Sequence, residues 1–222
     1  MSGLKIHTVQ TDFAVTLAEL KSYLKVDSTD DDAVLAIIRV AVDSWAREYT
    51  NRSLCTTTYV LFIDTVYDLD VRIQEGSYLG IDKDFERRNI ILPKSPVSAI
   101  THVKYYGDDN NATTWATSNY FLDSASMPSK FTLATGASYP TGLRPVNGLE
   151  IKYVAGYGDN TAIPKQIKMA CLIYGSYLFE RRGDDEKTMV APYSATSLLE
   201  PYTVKQFSTN PYRGTSYYGG MR

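Results

Sequence analysis

VTLAELKSYLKVDSTDDDAVLAIIRVAVDSWAREYTNRSL, Val15 to Leu54, is the stretch on which the fold turns. Thr16 followed by Glu19 has the spacing of a capping box, and Leu17, Leu20 and Leu24 form a short apolar stripe behind it, so a helix opens here. After a brief loop, Val26 to Thr29, the residue Thr29 reads as the N-cap of a second helix, with Asp30, Asp31 and Asp32 suited to the positive end of its dipole. That helix runs to about Tyr49. Val34, Ile38, Ala41, Trp45 and Tyr49 recur at helical spacing and share one face. Leu35, Ile37 and Val42 widen that face beyond what a lone surface helix needs. Either the helix is buried on two sides in one subunit, or one side meets another subunit. Asn51 to Ser53 closes it.

Downstream of Cys55 the period changes. Thr57 to Ile63 is β-branched and aromatic and reads as a strand; so do Ile90 to Leu92, Ala99 to Tyr106, Asn119 to Leu122, Lys130 to Leu133 and Leu149 to Ala155. Turn-forming clusters at Gly107 to Asn111, Ser124 to Ser129 and Thr135 to Gly148 separate them. Short strands with loops between them predict an antiparallel sheet or small sandwich. The helical period returns after Pro164, which suits a first turn. Ile167, Ala170, Tyr174 and Leu178 line one face there, Cys171, Leu172 and Ile173 add bulk, and Arg181, Arg182 and Gly183 form a stop. A short helical piece follows at Ser197 to Glu200. Upstream, the first dozen residues read as a polar arm.

The expected fold class is therefore α+β: a helical core of two N-terminal helices and a later long helix, with an inserted antiparallel β-rich region and an extended C-terminal tail. The corresponding segments are 1–54 (N-terminal arm and first part of the helical core), 55–156 (β-rich insert), 157–202 (second part of the helical core) and 203–222 (tail). Helices on either side of such an insert pack together if its ends lie close.

Composition narrows the function. The net charge of −2 gives no basic excess for gripping nucleic acid. No apolar run reaches the ~20 residues that span a bilayer, so no membrane partner is expected. MSGLKIHTVQTDF lacks the apolar core of a secretory signal, and two distant cysteines, Cys55 and Cys171, suit a reduced cytoplasm. The 18 tyrosines are the anomaly. Tyrosine suits surfaces buried by partners, and it also suits β structure.

Motifs for catalysis are missing. His7 lies in the polar arm and His102 in a strand, neither near a cysteine or a nucleophile motif. Gly156-Tyr157-Gly158 precedes a helix but lacks the lysine and third glycine of a phosphate loop. Asp64, Asp68, Asp70, Asp82, Asp84 and Glu86 lack calcium-loop spacing and read as a solvated hairpin, or as acids that repel DNA phosphate. Arg182-Gly183-Asp184 reads as a helix end. No enzyme activity, cofactor or metal is expected.

The stretch Val15 to Leu54, the segment IILPKSPVSAITHVKYY (Ile90 to Tyr106), the segment IKYVAGYGDNTAIPKQIKMACLIYGSYLFERR (Ile151 to Arg182) and SLLEPY (Ser197 to Tyr202) together resemble the head–tail connector proteins of tailed phages, also called portal adaptor or head-completion proteins. Asp64 to Arg88 and the tail after Tyr202 depart from that pattern in length. The resemblance implies a structural virion protein of the neck, assembled in the host cytoplasm. It would form a cyclic homo-oligomer of roughly twelve subunits beneath the portal protein. A tail or stopper protein would bind below, and DNA would pass through the lumen without specific binding. It also implies a C-terminal segment that leaves the subunit and inserts into the portal.

The composition of 203–222 fits that role: it has no acidic residue and no periodic apolar face, yet it is aromatic. Lys205, Phe207, Tyr212, Arg213, Tyr217, Tyr218 and Arg222 are the expected partner contacts. Tyr49, Tyr174 and Tyr177 are possible subunit-interface residues. Tyr174 and Tyr177 are placed on different faces of their helix, and Trp45 is assigned to the core. The alternative is a β-rich carbohydrate- or surface-recognition module, which would carry an exposed aromatic platform on the β region.

Overall fold

A computed structural model describes residues 2–64, 88–182 and 190–204. The chain is α+β, with two cores. Along the chain run β1 (Ser2–Thr8), α1 (Leu17–Leu24), α2 (Asp32–Thr50), β2 (Thr57–Ile63), β3 (Asn89–Ile91), β4 (Val97–Tyr106), β5 (Ala112–Thr114), β6 (Tyr120–Asp123), β7 (Lys130–Leu133), β8 (Leu149–Ala155), α3 (Lys165–Glu180) and α4 (Tyr193–Leu199).

The helical layer is built as its caps dictate. Thr16 and Glu19 close a reciprocal capping box at the start of α1. The N-cap of α2 is Asp31 rather than Thr29, and it makes no side-chain cap bond. The Asp31 carboxylate instead accepts from Arg182 at 2.8 Å, which ties the start of α2 to the end of α3. The buried face of α2 is Leu35, Ile38, Val42, Asp43, Ala46 and Thr50. It is turned by one residue from the expected stripe: Val34 and Ala41 face solvent. On α3 the buried residues are Ile167, Ala170, Cys171 and Gly175. A Cβ at Gly175 would lie 2.9 Å from a Leu20 methyl and 3.7 Å from Ile38, so its absence lets α1, α2 and α3 converge.

The β lobe packs two antiparallel sheets face to face, ordered β1-β2-β8-β4-β5 and β3-β7-β6. In β8, Leu149, Ile151, Tyr153 and Ala155 point inward and the residues between them are half-buried, the period-two pattern of a strand with one face on a core. Tyr59, Leu61, Ile63 and Val103 join them from the large sheet; Ile90, Leu92, Tyr120, Phe131 and Leu133 come from the other. Two strands escaped the sequence reading. Ser2–Thr8 is not a polar arm but an edge strand paired with β2, and Ala112–Thr114 pairs with β4.

The two lobes meet where the chain enters and leaves the β region. Tyr157 N–H donates to Leu54 O (2.9 Å), Thr56 N–H to Gly158 O (2.8 Å) and Gly156 N–H to Pro96 O (2.8 Å). Gly156 and Gly158 have φ of +123° and +127°, a region side chains rarely adopt. A Cβ on Gly156 would sit 2.4 Å from Cys55 O. Gly156→Ala is expected to cost about 3 kcal/mol of stability, from strain and clash together. Gly136→Ala, at φ +80° with nothing within 4 Å of the added carbon, supplies the strain-only control and is expected to cost ~1 kcal/mol. Urea unfolding of both variants measures the difference.

Candidate assembly surfaces and the root of the tail

Arg52 organises the junction. It follows the last turn of α2, where Asn51 adopts a left-handed C-cap conformation, and it is buried. Its Nε donates to Tyr202 O at 2.5 Å and its Nη1 to the Tyr157 hydroxyl at 3.0 Å; Nη1 also lies 3.3 Å from Met127 Sδ. One guanidinium thus holds α2, the strap after β8, a β-lobe loop and the segment that follows α4. Burial raises the Tyr157 phenol above its ordinary pKa, and Arg52 works against that rise.

The segment after α4 is fixed along the same helix end. The Tyr202 hydroxyl bonds Gln166 on α3. Val204 N–H donates to Thr50 O at 2.9 Å, satisfying a carbonyl that α2 leaves unpaired at its end. The chain is therefore anchored to the helical layer as far as Val204. The expected partner contacts Lys205, Phe207, Tyr212, Arg213, Tyr217, Tyr218 and Arg222 lie outside the described residues. So do most of the acidic segment 64–88 and the Gly183-Asp184 pair.

Tyr49, Tyr174 and Tyr177 come together with Trp45 in one row of half-buried rings. Trp45 lies 4.6 Å from Tyr174 and 5.9 Å from Tyr49, centroid to centroid. Tyr174 and Tyr177 do not diverge: their rings stack at 6.4 Å, as i and i+3 neighbours on a helix can. Arg181 covers Tyr177 at 4.7 Å and the Tyr49 hydroxyl donates to Glu200 at 3.1 Å. The row seals the α2–α3 seam and leaves its ring edges at the surface.

Two features of the helical layer were not legible as sites. Asp43 is fully buried and accepts from Gln10 Nε2 (2.6 Å) and Ala14 N–H (2.8 Å), with Arg47 at 3.1 Å. This pins the link between β1 and α1 onto α2. Glu19 does more than cap: it also accepts from Lys168 Nζ at 2.7 Å and Asn160 Nδ2 at 3.3 Å, bridging α1 to the start of α3. A shallow groove opens beside it, lined by Ala18, Glu19, Ser22 and Tyr23 of α1 and Leu172 of α3.

Residues with chemical potential are used structurally. The amides of Gly156 and Tyr157 are spent on Pro96 and Leu54, so the glycine turn offers them to no phosphate. His102 lies 3.0 Å from Glu150, which also accepts from Tyr106 at 2.6 Å, and His7 lies 3.1 Å from Lys152, all on the open face of the large sheet. Burial pushes the Cys55 thiol up to about 12 and raises Cys171 further. Among the described residues no group of three or more His, Cys, Asp or Glu is placed to hold a metal, and no helix is long and apolar enough to cross a membrane. Trp115, Tyr120, Phe131 and Tyr139 form a ring cluster inside the β lobe, and Phe121 is its one strongly exposed aromatic among the described residues. Among the described residues of the β lobe no exposed aromatic platform is formed.

Two outcomes follow from these networks. Partial burial would raise the Glu19 pKa, but the bonds from Lys168, Thr16 and Asn160 outweigh it and hold the carboxyl at about 2 against an ordinary 4.5. A depressed carboxyl contributes stability that is fully present above pH 4.5 and lost as pH falls toward 2. Glu19→Gln is therefore expected to flatten the acid limb of the stability curve in that window, measured by thermal melts at stepped pH. Arg52→Met keeps the aliphatic stem and removes the donors; it is expected to lose about 2–4 kcal/mol in urea unfolding.

No family model matches the chain, and no curated protein matches it in sequence. Solved structures do match its fold. A chain of "Neck of empty GTA particle computed with C6 symmetry" aligns at TM-score 0.69 and 20% identity, covering 92% of this chain and 96% of that one. A chain of "Virion of native gene transfer agent (GTA) particle" aligns at 0.68 and 21%, covering 91% and 96%. A chain of "Neck of native GTA particle computed with C12 symmetry" aligns at 0.63 and 22%, with the same coverage as the second. This chain thus has the fold of proteins found in gene transfer agent particles, matched over nearly the full length of both partners.

Proposed function

We propose that this chain is a structural, non-enzymatic subunit of the neck of a tailed-phage-like particle: a head–tail connector that forms a ring beneath the portal and gives DNA a channel. The observation that carries the reading is the end-to-end likeness to chains of gene transfer agent necks and virions, in which both lobes and their order are shared rather than one common motif. The six- and twelve-fold symmetry of the matching neck structures supports a ring, with twelve copies the favoured number. The portal lies above, a tail or stopper protein below, and DNA passes without specific binding. Assembly takes place in the host cytoplasm and the protein ends in the virion neck. In this reading the segment beyond Val204 is the portal-contacting arm. Phe207, Tyr212, Tyr217 and Tyr218 serve as its anchors, and Lys205, Arg213 and Arg222 pair with acidic groups.

The anchoring of Val204 fixes where a clean test must cut. Deleting 205–222 leaves the Arg52–Tyr202 and Thr50–Val204 bonds in place. The truncated protein is expected to melt within ~2 °C of the full chain, since both anchoring bonds and both cores stay in place. It is also expected to be missing from purified particles. Incorporation at the wild-type level would defeat the arm's proposed role.

A further inference from the structure

The solvent side of α2 is apolar. Ile37 is 71% exposed, Val40 44% and Val34 37%, with Ala33 and Ala41 exposed beside them. Contiguous apolar surface of this kind on a folded subunit marks an interaction site. A second apolar surface lies on the same layer. The α1–α3 groove exposes Tyr23 (42%), and Met169 (43%), one helical turn before Leu172, extends its rim. The stripe lies opposite Leu35, Ile38 and Val42, the face of α2 that packs in the core with α1 and α3, and it shares no residue with the α1–α3 groove, so the two are different patches. Two different patches on one subunit suit a head-to-tail contact that closes into a ring; a two-fold dimer needs only one self-complementary patch.

We propose that the α2 stripe of one copy packs into the α1–α3 groove of the next and forms the lateral contact of the ring. The proposal rests on the ring reading above and names its surfaces. Length and charge both argue for it. The exposed stripe runs from Ala33 to Ala41, roughly 12 Å of helix, and α1, which supplies most of the groove lining, has 8 residues and is likewise about 12 Å long, so the two match in extent. Within the chain the two helices run antiparallel, with Asp31 beside Arg182 and Cys171 below Val42 O. A twelve-fold axis turns the next copy by only about 30°, which preserves that sense: α2 meets the neighbour's α3 antiparallel. The Glu48 end of α2, where Glu48 also pairs with Lys94 of its own chain, then faces the Lys165 end of α3, and the Asp30 end faces Arg181 and Arg182, the latter already bonded to Asp31 of its own chain. The signs are opposite at both ends of the contact. Rim charges of this kind set register and orientation, while the apolar middle supplies the area.

Cysteine crosslinking in assembled particles tests the pairing. Cys55 and Cys171 are buried, so introduced thiols report alone. Full-length chain carrying both Ile37→Cys and Tyr23→Cys, treated with a short bis-maleimide, is expected to give a ladder of covalent oligomers, and neither single variant should give one. Dimers from Ile37→Cys alone would mean a two-fold contact and overturn the proposal. Normal incorporation without a ladder in the double variant would overturn this pairing and leave the ring standing. Absence of the wild-type chain from every particle would sink the connector reading itself. Ile37→Asp supplies an independent readout. At so exposed a position its melting temperature should be unchanged, whereas its incorporation should fall at least about tenfold; unchanged incorporation would count against the interface.

Discussion

The fold depends on one crossing of the backbone. The β region is inserted between α2 and α3, and those helices can share a core only if the chain enters and leaves the insert at one point. Leu54 to Thr56 and Gly156 to Gly158 lie side by side there, so close that residue 156 has no room for a Cβ. The inserted β region is thereby reduced, from the standpoint of the helical layer, to a short link between two antiparallel helices. The loop-closure entropy of that insert is offset by the β lobe's own core, which leaves α2 and α3 free to pack as local neighbours would. Arg52 stands beside the crossing and ties to it the one remaining strand of chain, the segment that leaves α4.

The sequence disclosed what local chemistry decides. The Thr16–Glu19 capping box, the alternation of Leu149, Ile151, Tyr153 and Ala155, and the proline before α3 each act within a few residues and were readable as such. What failed was decided by partners far along the chain. Ser2–Thr8 carries only Leu4 and Ile6 as an alternating pair, too little to mark a strand until β2 supplies its ladder. Thr29 looked a better cap than Asp31, but Arg182 recruits the Asp31 carboxylate from 151 residues away. The face of α2 was misplaced by one residue because the first half of the helix, Ala33 to Val42, is apolar on most sides, with Arg39 its one charge. Val34 and Ile38, or Leu35 and Ile38, make equally good stripes on paper. Only the positions of α1 and α3 select Leu35 and Val42 for the core and leave Val34 and Ala41 wet.

Tyrosine enrichment also resolves into physics once placed. Tyr59 and Tyr153 stack in the β core at 5.8 Å, with Tyr153 donating to Pro93 O, so the ring fills volume and the hydroxyl satisfies a carbonyl that a phenylalanine would leave bare. Around Arg52 the Tyr157 hydroxyl accepts from the guanidinium, and Tyr202 gives its backbone carbonyl to Arg52 and its hydroxyl to Gln166. Tyr49, Tyr174 and Tyr177 seal the helical seam. The composition thus reports three internal uses before any partner is invoked, and Tyr59, Trp115, Tyr120, Phe131 and Tyr153 in particular are consumed by the β-lobe core. An aromatic count alone does not separate a recognition surface from a sandwich interior. The exposure of individual rings does, and in the described part of the β lobe it favours the interior.

Apolar side chains remain wet on both lobes, and on the helical layer they gather along α2. α2 presents the apolar stripe to solvent, carries the buried Asp43 that holds the N-terminal link, and ends in the carbonyl that anchors Val204. A force on one of these is transmitted to the others through a single stiff rod of 19 residues. If neighbours press on the stripe, they press on the same helix that positions the root of the C-terminal segment. Lateral packing of copies and the aim of that segment are then coupled mechanically, without any moving part, because both are read from the axis of α2. A loop in place of α2 would leave the two free to vary independently. In the ring proposed above, arms of one height and angle would follow from having the contact and the arm's origin on one helix.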